Sequence, residues 1–440
     1  MKENFTLSKE KPSNKLLFNA RILDPLSKFD EKGSLIIENG KIADFGPHIK
    51  EKQVSKDFER IDCKGHLLVP GLLDIQVHFR TPGFEFKETI ETGSKSAVAG
   101  GVTSVVCMPN TKPVLDEPFM IEYLLNKAKN ESYCHLDIYG AVSKNMEGKQ
   151  LSPLSLLKQA GVCGFTDDGL PVMNAFLMRK AFEYSAELDL VVAQHAEDLN
   201  LTNKGAINEG RVSYELGVRG IPNASESIIV ARDIELLKLT NGNYHLLHAS
   251  TKESVELIRR AKKLGLKATA EVAPHHFMLT EADVIKNGTL SKMNPPLRTE
   301  EDRQALIEGL IDGTIDAIAT DHAPHDPESK NKPLEEASFG LVGLETLLPI
   351  SLELYYSKKL SLIDLFSKLT YKPARIIRRE RGEIKKGRIA DLTLIDLDAT
   401  WKIDTSKFHS KSKNSPFNDR KVKGRAIKTF VAGNLVYSYE

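Results

Sequence analysis

Short apolar runs alternate with amphipathic helical patterns through the middle of the chain, between about residues 67 and 381. Runs of this length, bounded by turn residues, are typical of buried strands. The sequence contains eight of them: LLDIQVHF, VTSVVCM, HLDIYGAV, VCGFT, LVVAQH, YHLLHAS, KATAEVA and DAIATDH. Alternating strands and helices predict an α/β fold with a parallel sheet. Eight units favour a closed (β/α)8 TIM-like barrel over the alternative, a doubly wound open sheet.

Two segments between these runs carry helical periodicity. Segment 176–188 has apolar residues at steps of four, and segment 253–264 has them at steps of three, the last being Leu264. Gly265 follows directly, and glycine often ends a helix. We therefore expect a helix on each segment. The polar segment 406–423 has neither pattern and predicts a surface loop.

The two ends of the chain are rich in strand-forming residues. Asn39-Gly40 joins two apolar runs and predicts a type I′ hairpin, and Gly433-Asn434 predicts the corresponding turn near the finish. Because the ends of a domain tend to lie close together, we predict that residues 1–66 and 382–440 form one small β-sandwich domain. The barrel would then span residues 67–381.

Composition and charge exclude several classes of protein. A chain of 440 residues suits one large domain and a smaller one. The net charge of +1 gives no basis for a nucleic-acid partner. No apolar run reaches the roughly 18 residues of a membrane span, and the polar start lacks the apolar core of a secretory signal. We expect a cytoplasmic protein, with no membrane association, whose scattered cysteines are reduced and buried: Cys63, Cys107, Cys134 and Cys163.

Polar residues stand where the apolar runs end, which is where barrel enzymes carry catalytic side chains. A single buried histidine is usually a core residue, but six strand ends with such residues favour a shared site. Imidazole and carboxylate groups bind Zn²⁺ or a similar divalent ion and leave a position open for water. These strand-end residues are Asp74, Gln76, His78, Asn110, Asp167, Asp168, His195, His248, Asp321 and His322.

The alternation of the first apolar run places Asp74, Gln76 and His78 on one face of the predicted strand. The stretch LLDIQVHFRTPG resembles the HxH signature of the amidohydrolase superfamily, with Gln76 where the first histidine normally stands. A glutamine amide offers only a neutral, weaker oxygen donor, so half of the metal site is expected to bind less tightly. A sub-group of dihydroorotase-like sequences carries the same form.

Further strings make the resemblance more specific. They occur in the order and rough spacing of bacterial-type dihydroorotases, and the similarity covers about residues 68–380. Any one string is a weak indication, whereas the ordered set is a strong one. The strings are VHFRTPG, CMPNT, GFTDDG, QHAED, LLHAST, MNPPLR, ATDHAPH and SFGLVGLET.

The resemblance implies a metal site with one or two Zn²⁺ ions, or another divalent metal. Asp168, and not Asp167, matches the bridging ligand by its spacing to His195, and the other aspartate is expected in a turn. In dihydropyrimidinases this bridging position is a carboxylated lysine. The implied ligands are His78, Asp168, His195, His248 and Asp321, with Gln76 as a weak ligand.

The resemblance also implies an activity, the reversible hydrolysis of L-dihydroorotate to N-carbamoyl-L-aspartate in pyrimidine biosynthesis. Asp321 would accept the proton of the attacking water and pass it to the departing ring nitrogen. The residues implied for substrate binding fall into two sets. The carboxylate set is Arg80, Asn110 and His325, and the ring set is Asn294 with the backbone of Phe339 and Gly340.

Two alternatives remain open. One is another cyclic amidohydrolase, allantoinase or dihydropyrimidinase, which the bridging aspartate and the CMPNT string disfavour. The other is a catalytically silent homologue that serves as a structural partner of aspartate transcarbamoylase. Gln76 keeps the second alternative open, although five of six ligands are present. A homodimer is also compatible with the sequence.

Overall fold

The computed structural model describes residues 3–7 and 12–440. Its strands, in chain order, are β1 (Glu3–Phe5), β2 (Lys15–Asp24), β3 (Phe29–Glu38), β4 (Lys41–Gly46), β5 (Glu59–Asp62), β6 (Leu67–Pro70), β7 (Leu72–Val77), β8 (Val102–Cys107), β9 (His135–Gly140), β10 (Gly164–Phe165), β11 (Val191–Gln194), β12 (Ile207–Asn208), β13 (Gly220–Ile221), β14 (Tyr244–Leu246), β15 (Ala268–Val272), β16 (Ala317–Ile318), β17 (Leu392–Lys402), β18 (Lys421–Val431) and β19 (Asn434–Tyr439).

Its α-helices, in the same order, are α1 (Ile90–Ala99), α2 (Pro118–Glu131), α3 (Leu154–Ala160), α4 (Ala175–Leu188), α5 (Leu199–Thr202), α6 (Arg211–Leu216), α7 (Ala224–Thr240), α8 (Lys252–Lys263), α9 (Pro274–Met278), α10 (Ala282–Asn287), α11 (Glu300–Asp312), α12 (Pro327–Lys330), α13 (Leu347–Tyr356), α14 (Leu362–Leu369) and α15 (Tyr371–Ile376).

Eight strands form a parallel barrel, in the order β7-β8-β9-β10-β11-β14-β15-β16. Each of the eight predicted apolar runs contains one of these strands. The ring closes where Val77 bridges His322 and where the amide of His78 donates to the carbonyl of His322 at 2.9 Å. The barrel prediction is therefore confirmed, and the open sheet is excluded.

Both predicted helices form, as α4 and α8. Asn174 precedes α4 and Thr251 precedes α8, and each side chain accepts hydrogen bonds from amides of the first turn. The step-of-three residues of α8 are buried except Leu264, which is 66% exposed. The reason is that α8 ends at Lys263, so Leu264 no longer lies on the buried face.

A nine-stranded sheet joins the two ends of the chain, in the order β1-β19-β18-β17-β6-β2-β3-β4, with β5 paired to β2. The β3–β4 hairpin turns at Asn39 and Gly40, as predicted. The β18–β19 hairpin turns at Ala432 and Gly433, one residue earlier than predicted, because Asn434 already pairs with Val431. The apolar core of this sheet includes Leu17, Ile22, Leu35, Ile37, Leu392 and Phe430.

The terminal sheet extends beyond the predicted boundary at residue 66. β6 pairs antiparallel with β17 and parallel with β2, so the chain leaves this sheet only after Pro70. The division into a terminal domain and a barrel domain at residues 66 and 382 stays a prediction. Residues 1, 2 and 8–11 of the predicted terminal domain lie outside the described residues.

Segment 406–423 is not the surface loop that its polarity predicts. Several of its polar side chains are buried because they bond to the mouth of the barrel. The Ser412 hydroxyl donates to the carbonyl of Lys87, and the Asn414 amide donates to the carbonyls of Ala323 and Gly340. Its polar residues satisfy buried backbone groups there.

The cysteines are buried and free of disulfides, as predicted. Burial raises the pKa of Cys63 and of Cys134 to about 12, so both remain protonated thiols at neutral pH. Across residues 3–7 and 12–440, no helix combines the length and the apolar character needed to cross a membrane.

Candidate active site

A cavity of about 320 Å³ lies at the carboxyl ends of the barrel strands. Gly169, Ala323 and Ser338 contribute to its wall. Of the residues implied as metal ligands or substrate-binding groups, all except Gln76 line it: His78, Arg80, Asn110, Asp168, His195, His248, Asn294, Asp321, His325, Phe339 and Gly340. The strand-end residues Asp74, Asp167 and His322 do not line it. The structure therefore brings together residues from strand ends and loops that are far apart in sequence.

The predicted metal ligands form two groups of donor atoms that share Asp168. One group is Asp168, His195 and His248, the other is His78, Asp168 and Asp321, and the donor atoms of each lie within 4.8 Å of one another. The two oxygens of Asp168 face different groups: Oδ1 is 3.3 Å from His248 Nε2, and Oδ2 is 3.3 Å from His78 Nε2. Buried imidazoles around one shared carboxylate fit a divalent ion on each side of it.

The neighbouring aspartate has a different position. Asp167 turns away from the cavity, and its Oδ1 accepts a hydrogen bond from the amide of Ser143 at 3.0 Å. Its other oxygen accepts from the Ser143 hydroxyl. The geometry thus favours Asp168 as the ligand, whereas Asp167 holds a neighbouring loop in place.

The charges of this cluster depend on one another. Burial would raise the pKa of Asp168, but hydrogen bonds with His195 and His248 hold it well below its ordinary value. Burial would lower the pKa of His195, but Asp168 and Glu197 raise it to about 10. The carboxylates thus favour positive charge at this place, and a bound divalent cation would supply it.

Gln76 is fully buried, and neither polar atom of its side chain has a hydrogen-bond partner among the described residues. The register of β7 against β8 shifts between Asp74 and Val77, which interrupts the alternation of the strand. Asp74 does not line the cavity, and its carboxylate instead accepts hydrogen bonds from the amide and hydroxyl of Thr320. Asp74 is therefore not part of the cavity that contains His78.

Two of the predicted ligand histidines have hydrogen-bonding partners on the ring nitrogen that does not belong to the donor groups. The Nδ1 of His78 lies 2.9 Å from the Oδ1 of Asn110, and the Nε2 of His195 lies 2.9 Å from the Oε2 of Glu197. Asn294 also donates to Glu197, at 2.9 Å. Such contacts fix the ring tautomer and leave the other nitrogen free to bind metal. Glu197 was not predicted, although it stands two residues after His195 in the string QHAED.

A cationic corner lies beside the metal ligands. Arg80 Nη2 lies 3.3 Å from His325 Nε2, and Lys87 Nζ lies 3.3 Å from His325 Nδ1. Burial lowers the pKa of His325 to about 2, with help from Arg80 and Lys87, so the ring is neutral. In the described part of the chain, no carboxylate lies within ion-pair distance of Arg80 or Lys87. This corner suits an incoming anion, and Lys87 was not predicted as part of it.

The two sequence neighbours of Asp321 are fixed by hydrogen bonds. The Thr320 hydroxyl before it donates to Asp74 at 2.5 Å, and His322 after it lies 3.3 Å, Nε2 to Oε2, from the buried Glu88. Left-handed backbone is strained for residues other than glycine and recurs at functional sites. Three cavity residues have it: Arg80 (φ 58°), His248 (φ 31°) and Asp321 (φ 50°).

Comparisons with known proteins agree with this geometry. Residues 65–254 match a family model described as Dihydro-orotase-like. A dihydroorotase of Ehrlichia chaffeensis is 56% identical over 424 residues, which is 96% of this chain and 94% of that protein. The chain belongs to the dihydroorotase family. Within that family, a dihydroorotase of Syntrophotalea carbinolica is 47% identical over 422 residues, covering 96% of this chain and 98% of the relative.

Solved structures extend the likeness to other cyclic amidohydrolases. The L-hydantoinase (dihydropyrimidinase) from Arthrobacter aurescens superposes with a TM-score of 0.86 and 27% identity, over 96% of this chain and 95% of that one. A dihydropyrimidinase from Brevibacillus agri gives a TM-score of 0.84 at 21% identity, with 96% and 95% covered. These neighbours share the barrel and the terminal sheet with this chain.

Proposed function

We propose that this chain catalyses the reversible, metal-dependent hydrolysis of L-dihydroorotate to N-carbamoyl-L-aspartate, as a cytoplasmic enzyme of pyrimidine biosynthesis. The observation that carries the proposal is the pair of donor groups sharing Asp168, beside a cationic corner to which residues 3–7 and 12–440 provide no acidic partner. Relatives more than half identical to the chain bear the name dihydroorotase. The substrate itself combines a cyclic amide, which would lie at the donor groups, with a free carboxylate, which would lie at the cationic corner.

Zinc is the metal that the donor set favours, because imidazole and carboxylate are its common ligands. His78 and Asp321 would hold one ion together with Asp168, while His195 and His248 would hold the other with the same carboxylate. A bound divalent ion would polarise the ring carbonyl and lower the pKa of a water molecule.

Asp321 is the proposed general base. Its Oδ1 lies 3.0 Å from His78 Nε2, at the edge of the cavity, and the contacts on both sides of it fix its position. It would accept a proton from the attacking water and return that proton to the ring nitrogen as the amide bond breaks. The ring nitrogen would thereby leave as a neutral amide.

The substrate carboxylate is assigned to the cationic corner. The planar guanidinium of Arg80 can donate two parallel hydrogen bonds to a carboxylate, and His325, whose ring contacts Arg80 and Lys87, would complete this corner. Burial lowers the pKa of Arg80 only to about 10, so it stays charged at neutral pH. Asn110, which lines the cavity, would also face the carboxylate, while Asn294 and the backbone of Phe339 and Gly340 would face the ring.

Gln76 leads to a proposal about metal content. The site with His78, Asp168 and Asp321 has one imidazole and two carboxylates, and a glutamine amide adds only a weak donor. We therefore expect one ion retained near His195 and His248, and a second that is weak or absent. Gln76→His should raise the metal content toward two per chain. Two ions that survive dialysis of the unaltered protein against a chelator would contradict this expectation.

One experiment tests the main proposal against its alternatives. The purified full chain is analysed for metal and assayed for ring opening of dihydroorotate, with dihydrouracil and allantoin as competing substrates. Preference for dihydroorotate supports the proposal, and preference for either competitor overturns it. Protein without metal or activity, even after addition of zinc, would favour a silent partner of aspartate transcarbamoylase. Sedimentation of the chain with and without that enzyme tests both this partnership and a homodimer.

A further inference from the structure

Lys330 lies behind the cavity with its ammonium group enclosed by protein. The residue is 4% exposed, and its Nζ faces three backbone carbonyls, of Ser338 at 2.8 Å, Gly340 at 3.1 Å and Lys292 at 3.5 Å. No carboxylate of the described residues forms an ion pair with it. Enclosing a cation without a negative partner is costly, so these carbonyl contacts must contribute stabilisation at this place.

The three carbonyls belong to the two loops that carry the ring-binding residues. Lys292 stands two residues before Asn294, and Ser338 and Gly340 flank Phe339; Asn294, Ser338, Phe339 and Gly340 all line the cavity. The amide of Gly340 also donates to the carbonyl of Lys292 at 2.9 Å. One ammonium group thus joins two loops that come from distant parts of the sequence.

A second lysine reinforces the same junction. The Nζ of Lys292 lies 4.3 Å from the centre of the Phe339 ring, within cation–π distance, and donates to the carbonyl of Glu335 at 3.1 Å. Lys292 therefore contacts the aromatic wall of the cavity, and Lys330 binds the backbone on either side of Phe339.

We propose that Lys330 is a positioning residue that holds the Asn294 loop and the Phe339 loop in their substrate-binding arrangement, without touching the substrate. This inference rests on the proposed function for the identity of the substrate. Its consequence is that a change at Lys330 should act mainly on substrate affinity. The metal and the chemical step should be spared, because the direct contact between Glu197 and His195 does not involve either loop.

Lys368 is a matched control. It is 2% exposed, and its Nζ donates to the carbonyl of Ile315 at 2.7 Å, at the amino end of β16 and away from the cavity. Burial lowers the pKa of Lys330 and of Lys368 to about 7. The two lysines are therefore alike in burial and differ in the backbone carbonyls that they bind.

The test compares Lys330→Met and Lys368→Met in the full chain. We expect Lys330→Met to raise the KM for dihydroorotate about tenfold, the size typical of losing a charged hydrogen-bonded group. Its kcat and metal content should stay near normal. Lys368→Met should lower the melting temperature and leave KM unchanged. Equal KM effects in the two variants, or an unchanged KM in Lys330→Met, would overturn the proposal.

Hydrogen exchange separates this proposal from the proposed function. The amides of Ser338 and Gly340, bonded to the carbonyls of Ser329 and Lys292, should exchange faster in Lys330→Met than in the unaltered protein. Unchanged exchange there overturns the positioning role, whatever the substrate is. If the unaltered protein fails to open dihydroorotate, only the proposed function fails. Lys330→Gln has two N–H donors on a shorter side chain, so its KM and its amide exchange should fall between those of the unaltered protein and Lys330→Met. This variant replaces Lys330→Met if the methionine variant does not fold.

Discussion

The cavity has two sides. The metal side contains the predicted ligands, near the ends of barrel strands, and the substrate side contains the predicted ring-binding residues, on loops. His78 and His195 follow barrel strands directly, and Asp321 lies three residues after β16. Asn110 contacts the ring of His78, and Glu197 contacts the ring of His195. Phe339 and Gly340 belong to a loop that has no strand beneath it and is held through its backbone carbonyls. The metal geometry therefore has the rigidity of the barrel, while the substrate geometry depends on how the loops pack.

This difference predicts two kinds of functional defect. Loss of a partner on the strand side should change metal binding or turnover, because the affected groups act on the reacting bond. Loss of a partner on the loop side should change KM and leave turnover nearly intact, because the loops only place the substrate. Three substitutions probe this distinction directly.

The largest effect is expected from Asp321→Asn. Asparagine keeps the shape and tolerates the left-handed backbone, but it cannot accept the proton, so turnover should fall by roughly 10²–10⁴. The measurement is kcat at saturating dihydroorotate, with metal content determined on the same sample. Near-normal turnover in this variant would show that another group is the base.

A smaller effect is expected from Glu197→Gln. Burial would raise the pKa of Glu197, but the contacts with His195 and Asn294 lower it to about 2, so a full negative charge supports the imidazole. Loss of this support should weaken metal binding by about 10- to 100-fold, as measured by competition with a chelator. Asp198→Asn, which alters the neighbouring carboxylate that caps α5, should leave metal affinity unchanged. Equal affinities in all three proteins would remove Glu197 from the metal site.

The smallest effect is expected from Arg80→Lys. A point charge replaces a planar fork that can pair both carboxylate oxygens, so KM should rise about tenfold while kcat stays close to normal. Steady-state kinetics with dihydroorotate give both constants. A fall in kcat with KM unchanged would place Arg80 on the metal side of the comparison.

The metal side could be predicted from the sequence because the pattern that identifies its residues is local. A polar residue that ends an apolar run, such as His195 or His248, must lie at the mouth of a barrel once the strands are recognised. Asp74 shows where this reasoning fails. Strict alternation predicts it at the shared site, whereas β7 has a register shift against β8 and the Asp74 carboxylate accepts from Thr320 outside the cavity.

The loop side could be predicted only in part. Asn294, His325 and Phe339 were predicted through family resemblance, because nothing in their spacing indicates a common cavity. Lys330 and Asn414 were missed because both act on backbone carbonyls, and carbonyls carry no residue-specific pattern. Polarity in such segments indicates solvent exposure by default, and only the folded structure shows that these groups point inward.

The sheet that joins the two ends of the chain has a consequence for synthesis. Pro70 at the end of β6 pairs with Leu392 of β17, more than three hundred residues later. A ribosome adds about 5–20 residues per second, so β6 must wait on the order of tens of seconds for its partner. During that interval one edge of the newly made sheet has unpaired amides and carbonyls, which can recruit strands of other chains.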